Sequence, residues 1–199
     1  MIRQLSEEWF RLRAGKITAS IAAACLGLDP YCSRQRAWRK ILGQDKPEHN
    51  RHTQWGTRFE CLALTDYEVL SGTLVEETGF VVHPRLPWLG ASPDGLIGAD
   101  GLGEVKCPGQ APASVPIPHR IQILVQLMCT GRFWGDYWAW VDRDYFIQRV
   151  YPAGFSWLER NLEKFYVDFV LTKTEPPKKN RRKKEKKNGL ERVAVASEG

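Results

Sequence analysis

The chain has 199 residues, 43% hydrophobic and 26% charged, with eight tryptophans. That size and mix predict one domain with a full apolar core and exclude a fibrous or wholly disordered chain. The net charge of +6 is carried by residues 176–199, which hold nine Lys/Arg and three acids, so 1–175 is balanced and any affinity of the body for a polyanion must come from local patches.

Taken in chain order, residues 6–14 predict a short helix that Ser6 can cap, with Glu7 and Glu8 at its positive end. Gly15 breaks it, and a second helix starts near Thr18-Ala19-Ser20 and stops at Gly27. Arg13 therefore stands beside two hydroxyls at a helix start, an arrangement that suits a terminal phosphate or, more simply, two caps and a solvated arginine. Residues 33–42 read as a helix with a basic surface, 44–52 as a polar loop and 53–71 as a long helix stopped by Gly72, with Gly56 and Glu60 on one face. Residues 74–83 predict a strand or hairpin, and 87–89 a turn.

The stretch 90–108 carries the densest signal. A Ser92-Pro93-Asp94-Gly95 turn, an apolar step, a Gly98-Ala99-Asp100-Gly101 turn and Gly103-Glu104-Val105-Lys106 predict a β-hairpin. Glu104 and Lys106, at i and i+2, share a face while Val105 points into an apolar layer. Asp94 enters from the neighbouring strand, so two carboxylates and an ammonium meet at one end of a sheet. Carboxylates hold a hard cation through oxygen, and a lysine can orient a water or neutralise phosphate charge. Glu60 is a candidate third carboxylate. An Asp-Gly turn before a Glu-x-Lys strand is also common on solvated sheets, but the apolar middle residue and the intervening turn favour chemistry.

A Pro-rich connector, 109–118, reads as a loop over that site. Residues 119–131 form a helix with an Ile121, Leu124, Val125, Met128 stripe, bordered by Gln122 and Gln126. Two aromatic strands, 136–142 and 145–151, and a helix over 155–172 complete the body. Residues 176–199 read as a disordered basic tail. The five cysteines form no C-x-x-C pair, the N-terminus lacks a secretory pattern, and no apolar run reaches the ~18 residues of a membrane span. The expectation is a cytoplasmic protein with free thiols and no membrane.

Four blocks, in order, resemble the phage λ exonuclease and YqaJ-type viral recombinase family of the PD-(D/E)xK nuclease superfamily. They are Trp9 with Leu12-Arg13-Ala14-Gly15-Lys16-Ile17-Thr18-Ala19-Ser20, Trp55-Gly56 through Glu60, Ser92-Pro93-Asp94-Gly95-Leu96 through Glu104-Val105-Lys106-Cys107-Pro108, and Gln122 with Thr130. The resemblance implies a mixed α/β sheet flanked by helices over 1–175, and a bacterial or phage-infected host cell. It implies Mg²⁺ or Mn²⁺ at Glu60, Asp94, Glu104 and the Val105 carbonyl, with Lys106 acting on the attacking water and Gln122 supporting the site. Arg13, Thr18 and Ser20 would hold a 5′-phosphate. The implied activity is 5′→3′ digestion of double-stranded DNA to leave 3′ tails for recombination, by a homotrimer partnered with a single-strand annealing protein. Leu124 stands where relatives often carry a second glutamine, so Gln122 is favoured over Gln126 as the inward residue. A restriction-type endonuclease on the same fold, or a non-catalytic DNA-binding module, are the rival readings.

Overall fold

The computed structural model describes residue 4 and residues 6–45, 51–141 and 144–178, with 51–58 described as backbone only. The expected turn residues 142–143 and most of the expected basic tail, 179–199, lie outside them. Helix α1 (Glu7–Arg13) is capped as its sequence predicts, the Ser6 hydroxyl accepting from the Trp9 N–H. After the two-residue strand β1 (Ile17–Thr18) come α2 (Ala19–Cys25), α3 (Arg34–Ile41) and the long α4 (Arg51–Ser71). Short strands β2 (Val75–Glu76), β3 (Val81–Val82) and β4 (Leu89–Ala91) precede the hairpin of β5 (Gly95–Ile97) and β6 (Gly101–Lys106). Helix α5 (Ile117–Thr130), strands β7 (Trp134–Val141) and β8 (Asp144–Val150), and α6 (Phe155–Phe165) follow.

The strands form two sheets, β1-β4-β3 and β2-β5-β6-β7-β8, with β1·β4 and β6·β7 parallel and the other pairs antiparallel. Residues 74–83 are therefore not a hairpin: β2 pairs with β5 and β3 with β4, because the chain changes sheet between them. The terminal helix also differs from a single run over 155–172. It widens into a π-helical turn at Tyr166–Leu171, inside which the Phe169 carbonyl accepts from the Trp38 indole at 2.8 Å.

The five-stranded sheet is packed on both faces. One face carries Leu102 and Tyr137 and meets α5, whose Ile121, Ile123, Leu124 and Leu127 are all but inaccessible. Burying each such side chain contributes ~1.5–3 kcal/mol. The other face carries Val105 and Trp138, which pack with Ala63 and Tyr67 of α4. α5 seats closely because Gly135 offers no side chain: a Cβ there would lie 2.5 Å from Ile123 Cγ2. Among the described residues no helix is long and apolar enough to cross a membrane.

Candidate active site

Strand β6 alternates as its sequence predicts. Val105 faces α4 and Glu104 faces α5, where the carboxylate is wholly buried. Two amides on α5, one turn apart, close on it: Gln122 Nε2 donates to Oε1 at 2.6 Å and Gln126 Nε2 to Oε2 at 2.5 Å. The choice between the two glutamines thus dissolves, because spacing of i and i+4 puts both on the same side of the helix. Gln126 is the more buried, and its Oε1 has no partner. Lys106 Nζ ion-pairs with Glu104 Oε1 and donates to the Val105 carbonyl at 2.9 Å. That carbonyl, expected as a metal ligand, is engaged by Lys106 in this arrangement.

Asp94 ends the turn before β5 and is tied to β6 twice. Its N–H donates to the Gly103 carbonyl at 3.1 Å, and its Oδ2 accepts from the Val105 N–H at 2.6 Å. Glu60 approaches Asp94 from α4, near enough that each carboxyl shifts the other's ionisation. Glu60, Ala63 and Tyr67 lie along one stripe of α4, and anchors further down that helix hold the stripe to the sheet. The Tyr67 hydroxyl donates to Asp136 Oδ2 at 2.8 Å, and Trp140 Nε1 donates to Asp66 at 2.7 Å. Asp136 is buried and also takes a bidentate pair of bonds from Arg149, whose guanidinium lies 3.6 Å from the Trp134 ring centroid. Sequence reading missed this Tyr67–Asp136–Arg149 link; the signal for it, an acid on an aromatic strand opposite an arginine, depends on knowing that β7 and β8 pair.

The charges at the site do not balance. Three carboxyl groups face one ammonium. Burial, with the neighbouring Asp94 charge, pushes Glu104 up to about 7. Burial raises Asp94 to about 6 against the opposing pull of Lys106, and raises Glu60 as well. Burial alone would lower Lys106, but the surrounding carboxylates outweigh it and hold the ammonium above its ordinary value. Among the described residues no group of three or more acidic, imidazole or thiol side chains is arranged so as to hold a metal ion by itself. The donor set nonetheless fits a hard divalent cation: uncompensated carboxylate oxygen and a buried amide oxygen, Gln126 Oε1, without a partner.

The residues expected to hold a phosphate also come together. Arg13, Thr18 and Ser20 line one cavity of about 570 Å³, with Lys16 and Lys40. The Thr18 and Ser20 hydroxyls are 3.2 Å apart, and Thr18 makes no side-chain capping bond. Arg13 lies 3.8 Å from the Trp9 ring centroid, and burial lowers its pKa to about 10. Trp9 in turn donates its indole N–H to Ser92 at 3.0 Å, two residues before Asp94. Ser20 also lines a second cavity of about 760 Å³ that runs to Gln122, His119 and Tyr137.

A family model described as the YqaJ-like viral recombinase domain matches residues 8–133. The chain belongs to this family. An alkaline exonuclease from Laribacter hongkongensis, LHK-Exo, is 32% identical, with a TM-score of 0.72 over 85% of this chain and 95% of its own. LHK-Exo in complex with dAMP aligns at 29% identity and a TM-score of 0.74, over 96% and 99% of the two chains. A phage-related exonuclease from Haemophilus somnus 129PT shares the fold, at 13% identity and a TM-score of 0.59 over 79% and 96%. No curated protein gives a significant match. The YqaJ-like match spans Arg13 to Gln126, and so every sequence-predicted site residue, but ends before Asp136 and Arg149.

Proposed function

We propose that this YqaJ-like chain is a divalent-metal-dependent exonuclease of the PD-(D/E)xK type. It digests double-stranded DNA 5′→3′ from 5′-phosphorylated ends and leaves 3′ single-stranded tails for recombination. The observation that carries this is the meeting of Glu60, Asp94, Glu104 and Lys106, with a cleft that runs from Gln122, bonded to Glu104, to Ser20, which also lines the Arg13 cavity. LHK-Exo, its relative, is an alkaline exonuclease.

Mg²⁺ or Mn²⁺ would be held by Glu60, Asp94, Glu104 and the Val105 carbonyl, and supplies charge neutralisation at the phosphate and a more acidic water. The chain's own residues do the rest. Gln122 and Gln126 fix the plane of the Glu104 carboxylate through both its oxygens. Lys106 pairs its ammonium with that carboxylate and is placed to hold the attacking water and to offset charge on the phosphoryl oxygens. Water adds to phosphorus and the O3′ of the terminal nucleotide leaves. The product is a 5′-mononucleotide, and the shortened strand again ends in a 5′-phosphate. Arg13, Thr18 and Ser20 bind that new end, so each turnover regenerates the group that selects an end over an internal site.

The rest of the reading is a catalytic body over 1–175, a basic tail over 176–199 that adds salt-sensitive DNA affinity, a homotrimeric ring and a single-strand annealing partner. A ring would retain DNA without a strongly basic body, which suits the charge balance of 1–175. The deciding experiment follows end-labelled linear duplex and covalently closed circular DNA in Mg²⁺. Labelled mononucleotides from the linear duplex and an intact circle are expected. A circle cut as fast as the linear duplex would refute end-dependent digestion.

A further inference from the structure

His119 lies on α5 one turn before Gln122 and two before Gln126, so positions 119, 122 and 126 form a polar stripe beside the helix's apolar face. The two glutamines are spent on Glu104. The imidazole instead stacks on Tyr137, ring centroids 5.3 Å apart, with Nδ1 3.0 Å from the phenolic oxygen. Tyr137 is the register partner of Glu104 on β7, so the pair is seated beside the catalytic carboxylate. Both rings line the 760 Å³ cleft between Gln122 and Ser20. The cleft shares Ser20 with the Arg13 cavity and ends at Gln122, which bonds Glu104.

A neutral imidazole carries one N–H and a phenol one O–H. Burial and the nearby Lys106 ammonium lower His119 to about 4, so the ring is neutral and carries one N–H. Burial raises the Tyr137 phenol to about 12, so it carries one O–H. One of these two protons makes the His119–Tyr137 bond. In one tautomer the other remains on His119 Nε2, and in the other tautomer on the phenol. Either way the pair keeps one unspent donor. A phosphodiester oxygen accepts and never donates, so it is the group on DNA that a lone donor next to buried carboxylates serves.

Resting on the nuclease reading above, we propose that the His119–Tyr137 pair is a substrate-binding element that donates a hydrogen bond to a phosphodiester oxygen of the strand lying in the cleft. Tyr137 sits next to Glu104 in the sheet, so the Mn²⁺ response is what tells a role toward DNA from a role toward the cation site.

The test measures binding of a 5′-phosphorylated duplex in Ca²⁺, a hard cation that takes oxygen ligands, and kcat and KM in Mg²⁺. His119→Ala is expected to weaken binding and lower kcat/KM by roughly tenfold or more, the loss of a bond to a charged acceptor. His119→Gln, whose amide N–H can reach the Nε2 position, is expected to recover most of the loss. Thermal stabilisation by Mn²⁺ without DNA should not change in either variant. Unchanged binding and kcat/KM in His119→Ala would overturn the proposal. So would a glutamine no better than alanine, or a Mn²⁺ response that falls in step with activity. Should the alanine variant not fold, the double variant His119→Phe/Tyr137→Phe, which keeps two rings and removes both possible donors, replaces it, with a loss of roughly tenfold or more expected and no loss overturning the proposal. A wild-type protein that cleaves no DNA with any divalent metal refutes the nuclease reading alone; the Ca²⁺ binding comparison still decides His119.

Discussion

Glu104→Gln tests whether the site is built to be short of positive charge. Burial and Asp94 push the Glu104 carboxyl to about 7 from an ordinary 4.5. Between those values the native protein holds a proton that the unfolded chain has released, so this group's contribution to stability falls as pH rises through the window. At about 1.4 kcal/mol per pH unit, the gap is worth ~3 kcal/mol by pH 8. For a domain of this size each kcal/mol moves Tm by about 2–4 °C, so the metal-free wild type forgoes roughly 6–12 °C at the alkaline end. Asp94, raised to about 6 from 3.8, acts in the same direction at lower pH. His119 and His83 oppose it: burial lowers both, so below an ordinary 6.5 the unfolded chain takes up protons that the native state refuses, and stability falls as pH drops. The wild-type profile alone mixes these effects. The difference between wild type and Glu104→Gln removes the shared histidines and isolates the carboxyl. Thermal melts in EDTA should show the glutamine variant gaining on wild type steadily from about pH 5 to about pH 8. Mg²⁺ or Mn²⁺ binds the deprotonated form, so added cation should close that gap in wild type increasingly as pH rises and leave the variant unmoved. A Tm difference constant across pH, or an equal metal response in both proteins, would refute the charge-deficit argument.

Arg13→Met should erase the preference for 5′-phosphorylated over 5′-hydroxyl duplexes, a loss of roughly tenfold or more in relative initial rate; an undiminished preference would assign the arginine to stacking on Trp9 alone. Tyr67→Phe removes one of three donors to buried Asp136 while leaving its Arg149 pair, and is expected to cost about 1 kcal/mol in chemical denaturation. Because α4 carries Glu60, the same variant should also weaken Mn²⁺ binding, measured by titration calorimetry. Gly135→Ala places a Cβ 2.5 Å from Ile123 and should destabilise by about 1–3 kcal/mol. It should lower activity beyond what the stability loss explains, because displacing α5 moves both glutamines off Glu104. Truncation after Lys178 should weaken DNA binding most at low salt, and a salt slope unchanged by truncation would retire the electrostatic role of the tail.

The parts of the site that were legible in the sequence are those set by local rules. Glu104 and Lys106 share a face because strand side chains alternate, and the turns at Pro93-Asp94-Gly95 and Gly98 dictate a hairpin whatever the rest of the chain does. The order of the major helices followed in the same way, from caps, glycine stops and periodicity, whereas the fold class came from the resemblance that the four blocks carry. What stayed hidden depends on pairing between distant segments. Nothing local to residues 74–83 says that their two halves join different sheets, and two-residue strands such as β1 carry no periodicity to read. The second glutamine was hidden for a related reason. Its environment is set by the sheet beneath the helix, and a stripe of apolar neighbours made Gln126 look like an edge residue when it is wholly buried.

Gly135 explains how such a polar group is tolerated in the core. An amide and a carboxylate sealed from water are each costly when unpaired and acceptable when matched. Matching Gln126 to Glu104 at 2.5 Å requires α5 to approach the sheet more closely than a side chain at position 135 would permit. The absent side chain at 135, the buried amide at 126 and the raised carboxyl at 104 are therefore one device. It holds a carboxylate rigid, dry and short of positive charge, the condition in which a hard cation binds with the least reorganisation. The hairpin supplies the charges; the helix packed across Gly135 makes them a site.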